Sequence, residues 1–474
     1  MADVLKPDLC VVGAGAAGLS VAAIAASFGV PVVLVERGAM GGECLNTGCV
    51  PSKALLATAA VAETFRRAPL FGIPAARPRI DGERIHRQVQ EVIASIAPND
   101  SAERFTAMGV QVLRGEAVFS GPRELRVGEV TVRARRFVLA TGSRPLIPET
   151  PGLPGAPFLT NETVFDLQTV PERLVVIGAG PVGLELAQAW RRLGSQVTVL
   201  ARARALPRIE PEIAAYVTTA LRREGVEIVE HAAVGAVEHW AGGTRVTAAG
   251  RSFEATHLLV AAGRRPVTEG LGLDAAGIRA DASGIVVDAS LRTSNRRVFA
   301  IGDCAGGPHA GERLTHVASH HASIVIRNAL FRAGAKVERN AIPRTLYTDP
   351  PVAVVGLTED EARAKDRSIR TLRWPFSEND RARTERLTDG EVKLICTRKG
   401  RILGAAIVGP HAGELIVPWA LAIRKGLAIS DFRDLVIPYP TFSEAAKRAA
   451  VGFYASETRR PAVGRLLRVL RLFG

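Results

Sequence analysis

Leu9-Cys10-Val11-Val12-Gly13-Ala14-Gly15-Ala16-Ala17-Gly18 runs from four apolar residues straight into three glycines spaced GxGxxG. A short, continuously apolar run is expected of a parallel strand buried on both faces. An Ala-rich segment follows to about Phe28 and reads as a helix. Pro31 to Val35 is then a second strand, closed by Glu36. Each position has a physical reason. Gly13 permits the tight turn, Gly15 lets a pyrophosphate approach the backbone, and Gly18 lets the helix pack on the strand. The helix N-terminus then faces the phosphates, and Glu36 is placed to bond ribose hydroxyls. Strand, glycine turn, helix and acid together form a dinucleotide-binding unit, where the glycines alone would be weak evidence.

The pattern returns once. Leu174 to Ile177 is a strand, Gly178-Ala179-Gly180-Pro181-Val182-Gly183 the turn, and a helix runs to about Leu193 before a strand from Gln196 to Leu200. Two such sites in one chain point to electron transfer between two nucleotides. The copies differ at one position. From Gly13 to Glu36 is 36 − 13 = 23 positions, and the same step from Gly178 reaches Ala201. The ribose acid is missing, Arg202 follows at once, and Arg204 and Arg208 are close by. Arginines pair with a 2′-phosphate that an acid would repel. NADPH is therefore expected over NADH.

Val138 to Pro145 and Leu259 to Pro266 echo each other, each a buried strand ending in a glycine turn where the chain crosses between domains. A further strand, Val298 to Ile301, ends at Gly302-Asp303 and puts a carboxylate at a strand's C-terminal end, where open α/β sheets bind ligands. Asp303 is expected to accept hydrogen bonds from a flavin ribityl chain. The first nucleotide domain is thus read as split, with the second inserted into it.

Between Glu36 and the next long helix lies Gly41-Gly42-Glu43-Cys44-Leu45-Asn46-Thr47-Gly48-Cys49-Val50-Pro51-Ser52-Lys53. A helix is expected from about Pro51 onward. Residues four or five apart on a helical turn share a side, so Cys44 and Cys49 can approach disulfide distance. A helix N-terminus or a cation such as Lys53 favours the thiolate. A structural metal site wants two further ligands at suitable spacing, and none is near.

The remaining composition narrows the class. Five cysteines are too few for a secreted disulfide scaffold. The net charge of +14 comes mostly from dispersed arginines. No aromatic-rich basic stripe suits base stacking, so nucleic acid is not an expected partner. Leu9 to Val35 has the hydropathy of a signal peptide, but Gly13, Gly15, Gly18 and Gly29 interrupt it. No apolar run reaches transmembrane length, and a cytoplasmic location is expected.

The stretch from Gly41 to Lys53 resembles the active-site motif of the pyridine nucleotide-disulfide oxidoreductases, which include dihydrolipoamide dehydrogenase, glutathione reductase and mercuric reductase. The resemblance covers roughly residues 8 to 455. It implies an α/β fold with two Rossmann-like dinucleotide-binding domains, the first split by the second, and a C-terminal α+β dimerisation domain. The expected divisions are an FAD-binding domain at 1–150 and 271–338, an NAD(P)H-binding domain at 151–270, a dimerisation domain at 339–455 and a tail at 456–474. The resemblance implies that Cys49 contacts the flavin and Cys44 is the interchange thiol that meets the acceptor. Lys53 and Glu185 match the family's charged pair beside the isoalloxazine, Asp303 its flavin-contacting acid, and Arg202 and Arg208 the spacing of arginines that select NADPH. The expected cofactor contacts are Gly13, Gly15, Gly18, Glu36, Lys53, Ala117, Thr141, Gly142 and Asp303 for FAD. For the nicotinamide coenzyme they are Gly178, Gly180, Gly183, Arg202, Arg208 and Gly263.

One departure from the family bears on the acceptor. Reductases of small disulfides carry His-Pro-Thr near the C-terminus, followed by Glu, and the His serves the partner subunit as acid and base. Here the run is Pro438-Tyr439-Pro440-Thr441-Phe442-Ser443-Glu444. A phenol is a poor base at neutral pH. Mercuric reductase resembles this stretch and Val197 to Arg202, and thiolates that bind a soft metal need no such base. However, this chain has no cysteine after Cys396, so the C-terminal cysteine pair of that enzyme is absent. The expected function is electron transfer from NADPH through FAD to Cys44 and Cys49, and on to a metal ion or an unusual thiol or disulfide acceptor. The alternatives are a dihydrolipoamide dehydrogenase-like enzyme using NAD and a lipoyl protein, and a low-turnover redox-sensing or membrane-docked flavoprotein. His309, His316, His320 and His321 are candidates for a substitute base. A homodimer is expected, each site combining Cys44 and Cys49 of one chain with Tyr439 and Glu444 of the other.

The tail falls outside the resemblance. Arg465, Arg468 and Arg471 alternate with Leu466, Leu467, Val469, Leu470, Leu472 and Phe473. A basic amphipathic helix of this kind fits either packing on its own domain or weak contact with a membrane surface.

Overall fold

Strand β1 (Leu9–Val12) is buried along its whole length, as a strand covered on both faces must be. This computed structural model describes residues 4–76, 78–455 and 461–473. The chain forms two compact units, residues 1–203 with 229–337 and residues 204–228 with 338–474.

In the first unit, β1 leads to helix α1 (Ala16–Ser27) and strand β2 (Val32–Glu36). Two helices follow, α2 (Gly42–Asn46) and α3 (Cys49–Arg67), and then strands β3 (Val110–Arg114) and β4 (Arg136–Leu139). The second βαβ unit is β5 (Arg173–Ile177), α4 (Pro181–Arg192) and β6 (Gln196–Leu200), joined later by β7 (His257–Val260). The chain returns through β8 (Val298–Ala300) and helix α5 (Thr315–Ala329).

The first sheet has the order β8-β4-β1-β2-β3, all parallel. The second aligns β6, β5 and β7 in parallel. Because β8 pairs with β4 only after the second sheet is complete, the first domain is split around the second. The two echoing segments end in strands Ser143–Pro145 and Arg264–Pro266, which pair antiparallel and carry the chain out and back.

The two glycine turns are built alike. A Cβ on Gly13 would lie 2.4 Å from Ala140 O, and one on Gly178 would lie 2.4 Å from Ala261 O. Both glycines have positive φ, at 103° and 117°. A Cβ on Gly18 would collide with Gly13 O, and one on Gly183 with Gly178 O, so these positions hold helix against strand. At the N-caps of α1 and α4, a Cβ on Gly180 would face open space and one on Gly15 would meet only the Cα of Gly42, at 3.8 Å. First and third glycines serve backbone packing, and the middle one leaves room for a phosphate.

The second unit is an antiparallel sheet covered by helices. Its strands are β9 (Arg344–Leu346), β10 (Val352–Gly356), β11 (Arg370–Pro375), β12 (Glu391–Cys396) and β13 (Ile402–Val408), in the order β9-β10-β13-β12-β11. β12 and β13 pair antiparallel around the turn at Lys399-Gly400. Ala412 to Lys425 forms two helices, Ala412–Leu415 and α6 (Val417–Lys425), with Pro418 in the first turn of the second. Pro418 has no N–H to continue the first helix and fits the start of the second. Helix α7 (Ser443–Val451) buries Ala445, Ala446, Ala449 and Ala450 in the core beneath the sheet.

Lys393 in β12 is completely buried, and its Nζ lies 2.7 Å from Glu210, 2.7 Å from Glu212 and 3.0 Å from Glu359. These carboxylates stand close enough together to suggest a cation site, and the Lys393 ammonium is the cation they surround. Helix α8 (Pro461–Leu470) buries none of its residues, which removes the reading in which it packs on its own domain. Among the described residues, no helix is long and apolar enough to cross a membrane.

Candidate active site

Gly41 and Gly42 both have positive φ, and a Cβ on Gly42 would lie 2.6 Å from the Cα of Gly15. The cysteine segment is thereby laid against the first phosphate turn. Cys44 sits within α2, Thr47 and Gly48 break the helix, and α3 begins at Cys49 itself. The sequence reading placed that helix start near Pro51. Pro51 is the third helical residue, where no N–H is required, so it does not mark the boundary. The difference favours chemistry: Cys49 occupies the first helical position, at the positive end of the helix dipole.

Both cysteines are free thiols. Thr315 at the head of α5 donates from Oγ1 to Cys44 Sγ at 3.5 Å and lies 3.3 Å from Cys49 Sγ. The hydrogen bond from Cys44, and then Thr315 and Lys53, outweigh burial and draw the Cys49 thiol down to about 6. Cys44 is pushed far above its ordinary value, first by its bond to Cys49 and then by burial. One sulfur is therefore a thiolate at neutral pH and the other a thiol.

One turn into α3, Lys53 Nζ meets Glu185 Oε2 on α4 at 2.8 Å. Glu185 is 5% exposed, which makes this pair a fixed bridge between the two nucleotide domains.

A second polar network backs the cysteine segment. The Arg264 guanidinium donates to the Glu43 carboxylate, to Ser143 Oγ at 2.8 Å and to Ser143 O at 3.0 Å. Ser143 Oγ donates to Asp303 Oδ2 at 2.5 Å. Asn161 Nδ2 donates to Glu43 Oε1 at 2.9 Å and to Thr47 O at 3.2 Å. Burial raises the Glu43 carboxyl to about 7, although Arg264 works against it. Asp303, the expected flavin acid, is thus tied through two side chains to the residue preceding Cys44.

The remaining expected residues fall into place unevenly. Glu36 accepts from Ala14 N at 2.6 Å and from Gly38 N at 2.7 Å, so the ribose acid is held by the glycine turn itself. Thr141 donates to Val267 O at 2.7 Å, Gly142 and Gly263 turn with positive φ, and Ala117 is buried at the start of a strand. Ala201 is buried. Arg202 is exposed and forms no ion pair among the described residues. Arg204 turns its guanidinium onto carbonyls of its own loop, including Ile209 O at 2.6 Å. Arg208, Tyr439 and Glu444 belong to the second unit. There Tyr439 donates to Asp380 Oδ2 at 3.0 Å, and that bond raises its phenol further from any use as a base. Glu444 pairs with Arg448 at 3.2 Å.

Of the four histidines considered as a base, His321 is fully buried and accepts from Gly302 N through Nδ1 at 3.2 Å. Burial holds it neutral, down to about 4. It is a core residue that fixes the turn before Asp303. Sequence reasoning missed Thr315, Asn161 and the pairing of Arg264 with Glu43. No local signal marks these residues, since their partners lie more than a hundred positions away.

The chain matches the pyridine nucleotide-disulphide oxidoreductase profile over residues 7–322 and the dimerisation domain of the same family over 342–450. It belongs to that family. A mercuric reductase of Streptomyces lividans is 37% identical over 458 residues, covering 94% of this chain and 96% of that protein. A dihydrolipoyl dehydrogenase of Thermus scotoductus is 38% identical over 462 residues, with the same two coverages of 94% and 96%. Among solved structures, LpdA of Mycobacterium tuberculosis superposes with a TM-score of 0.86 at 28% identity, over 95% of this chain and all of that one. The Cu(II) complex of the HOCl-induced flavoprotein disulfide reductase RclA of Escherichia coli superposes with a TM-score of 0.83 at 28% identity, over 93% of this chain and 98% of that one. Family membership brings FAD, a nicotinamide coenzyme and a dimerisation domain. The residues present fit the flavin: a glycine N-cap at Gly15, a held acid at Glu36, and Asp303, Lys53 and the cysteine pair in one unit.

Proposed function

We propose that this flavoprotein is an NADPH-dependent reductase that passes electrons to the Cys44–Cys49 disulfide and on to a soft metal ion, or to an unusual thiol or disulfide. The observation that carries the reading is the opposed ionisation of the two sulfurs around Thr315, in a chain with Tyr439 where small-disulfide reductases have histidine. Bound FAD would supply the two-electron relay between the nicotinamide and the sulfurs. In balance, NADPH, one proton and the disulfide give NADP⁺ and two thiols. Two thiols and Hg(II) then give the disulfide, metallic mercury and two protons. Thiolate ligation of the metal displaces the protons, so no imidazole is needed. Lys53 would set the field beside the flavin and hold Cys49 ionised. Ala201 and Arg202 support NADPH, since no acid stands where a 2′-phosphate would lie. Mercuric reductases among the relatives and the copper complex of RclA favour a soft-metal acceptor.

The test is anaerobic reduction of the FAD-loaded protein with NADPH and with NADH, read by visible spectrum, followed by Hg(II), Cu(II), lipoamide or oxidised glutathione. A long-wavelength charge-transfer band formed faster with NADPH, absent in Cys49→Ser and discharged by Hg(II) or Cu(II), is the expected result. Identity to the Thermus enzyme favours a second reading, in which a lipoyl group is the acceptor. Faster reduction by NADH with robust lipoamide turnover would establish that reading and displace the first.

A further inference from the structure

Helix α8 is unlike every other helix of similar length in the second unit, because it buries nothing. Leu466 is 57% exposed, Leu470 53% and Phe473 83%. Val463, Leu466, Leu467 and Leu470 recur at helical spacing and share one face of α8, and Phe473 follows just beyond its last residue. Arg465, Arg468 and Arg471 lie on the opposite side, and among the described residues they pair with no carboxylate. The last acid in the sequence is Glu457, and five arginines follow it. The family's dimerisation domain ends at residue 450, before this segment begins.

An exposed leucine-rich face is costly in water and calls for an occupant. A second copy of α8 is a poor electrostatic match, since it repeats the same arginines. Nucleic acid would satisfy the arginines and leave the leucines wet. An anionic bilayer surface satisfies both: the apolar face enters the boundary of headgroups and acyl chains, and the arginines reach the phosphates. We propose that α8 docks this flavoprotein on anionic phospholipid, as a peripheral anchor that does not span the membrane. The inference is independent of the electron acceptor.

The probe is the full-length, FAD-loaded protein, sedimented with vesicles of phosphatidylcholine alone or with phosphatidylglycerol added. Each arginine near such a surface is worth about fivefold in binding, so three together are worth roughly a hundredfold. Binding is expected to phosphatidylglycerol vesicles and not to neutral ones. It should fall by more than that factor in the triple variant R465E/R468E/R471E, which reverses each charge, and weaken strongly in Leu466→Ser/Leu470→Ser, with NADPH oxidation unchanged in both. Undiminished vesicle binding by the triple variant would overturn the proposal, because another basic face would then be responsible. Equal binding to neutral vesicles would overturn it too, as would equally tight capture of random duplex DNA through the same arginines. Conversion of the dimer to a monomer on deletion of residues 459–474, read by sedimentation velocity, would make the occupant a second copy instead.

Discussion

Cys44 and Cys49 share the hydroxyl of Thr315 and ionise in opposite directions. The largest influence on Cys49 is the hydrogen bond that Cys44 donates, with Thr315 and Lys53 adding to it. A thiol drawn below its ordinary value is a thiolate above the lowered pKa and reacts as one. In the reduced protein, alkylation by iodoacetamide should therefore occur at Cys49 with a midpoint near pH 6, while Cys44 stays unreactive through neutral pH. Cys44→Ala removes the main donor, so the midpoint must move upward and the rate at pH 7 fall by about tenfold or more. Mass mapping of the labelled cysteine across pH checks both statements, and an unmoved midpoint would transfer the cause to Lys53. At this scale the sequence was legible only where partners are close. Spacing of five identified the cysteines as a pair. Nothing local linked them to Thr315, 266 positions from Cys49, or Glu43 to Arg264, 221 positions away. Such contacts are decided by how sheets and crossings assemble, and a pattern of nearby residues carries no trace of that.

At the level of elements, the reading was strong for β1-α1-β2 and β5-α4-β6, where hydrophobic period, glycine spacing and the following acid all agree. It was weaker where proline was the marker. Pro51 lies inside the first turn of α3, so the helix starts just before its proline. The start of α3 matters because it sets Lys53 one turn beyond Cys49 and aims it at Glu185 on α4. The Lys53 side chain is 37% exposed and that of Glu185 only 6%. Removing the lysine takes the Lys53 ammonium away from a nearly buried carboxylate. Lys53→Met should therefore cost roughly 1–3 kcal/mol, below the full penalty of a completely buried pair because water reaches the lysine. The double variant Lys53→Met/Glu185→Leu should recover much of that loss. Urea denaturation of the single and double variants gives the coupling directly, and purely additive losses would mean that the pair does not stabilise the domain contact.

For the whole molecule, the split of the first nucleotide domain was legible because its last strand carries its own end signal, Gly302-Asp303. The assembly was legible only through family resemblance, since self-complementarity of a surface has no sequence period. The dimerisation domain exposes Val417, Leu421, Leu435 and Val436, with Val436 88% exposed, a set of apolar side chains suited to burial against a second copy. The family resemblance implies that Tyr439 and Glu444 of one chain complete the site of Cys44 and Cys49 of the other. A hybrid dimer tests this arrangement without truncating a core that includes Phe442, Ala445 and Phe453. One parent carries Cys49→Ser, whose homodimer is expected to be inactive, and the other Glu444→Gln, whose homodimer rate sets the baseline against which recovery is read. If sites are shared, the hybrid has one site built from both damaged parts and one built from both intact parts. Random re-association makes about half of all dimers hybrid, and half of their sites work, so activity should return to about a quarter of wild type. If each chain completes its own site, every site in the hybrid keeps one lesion and mixing restores nothing. The recovered rate, measured with whichever acceptor the reduced enzyme accepts, therefore decides whether the second subunit is part of the chemistry.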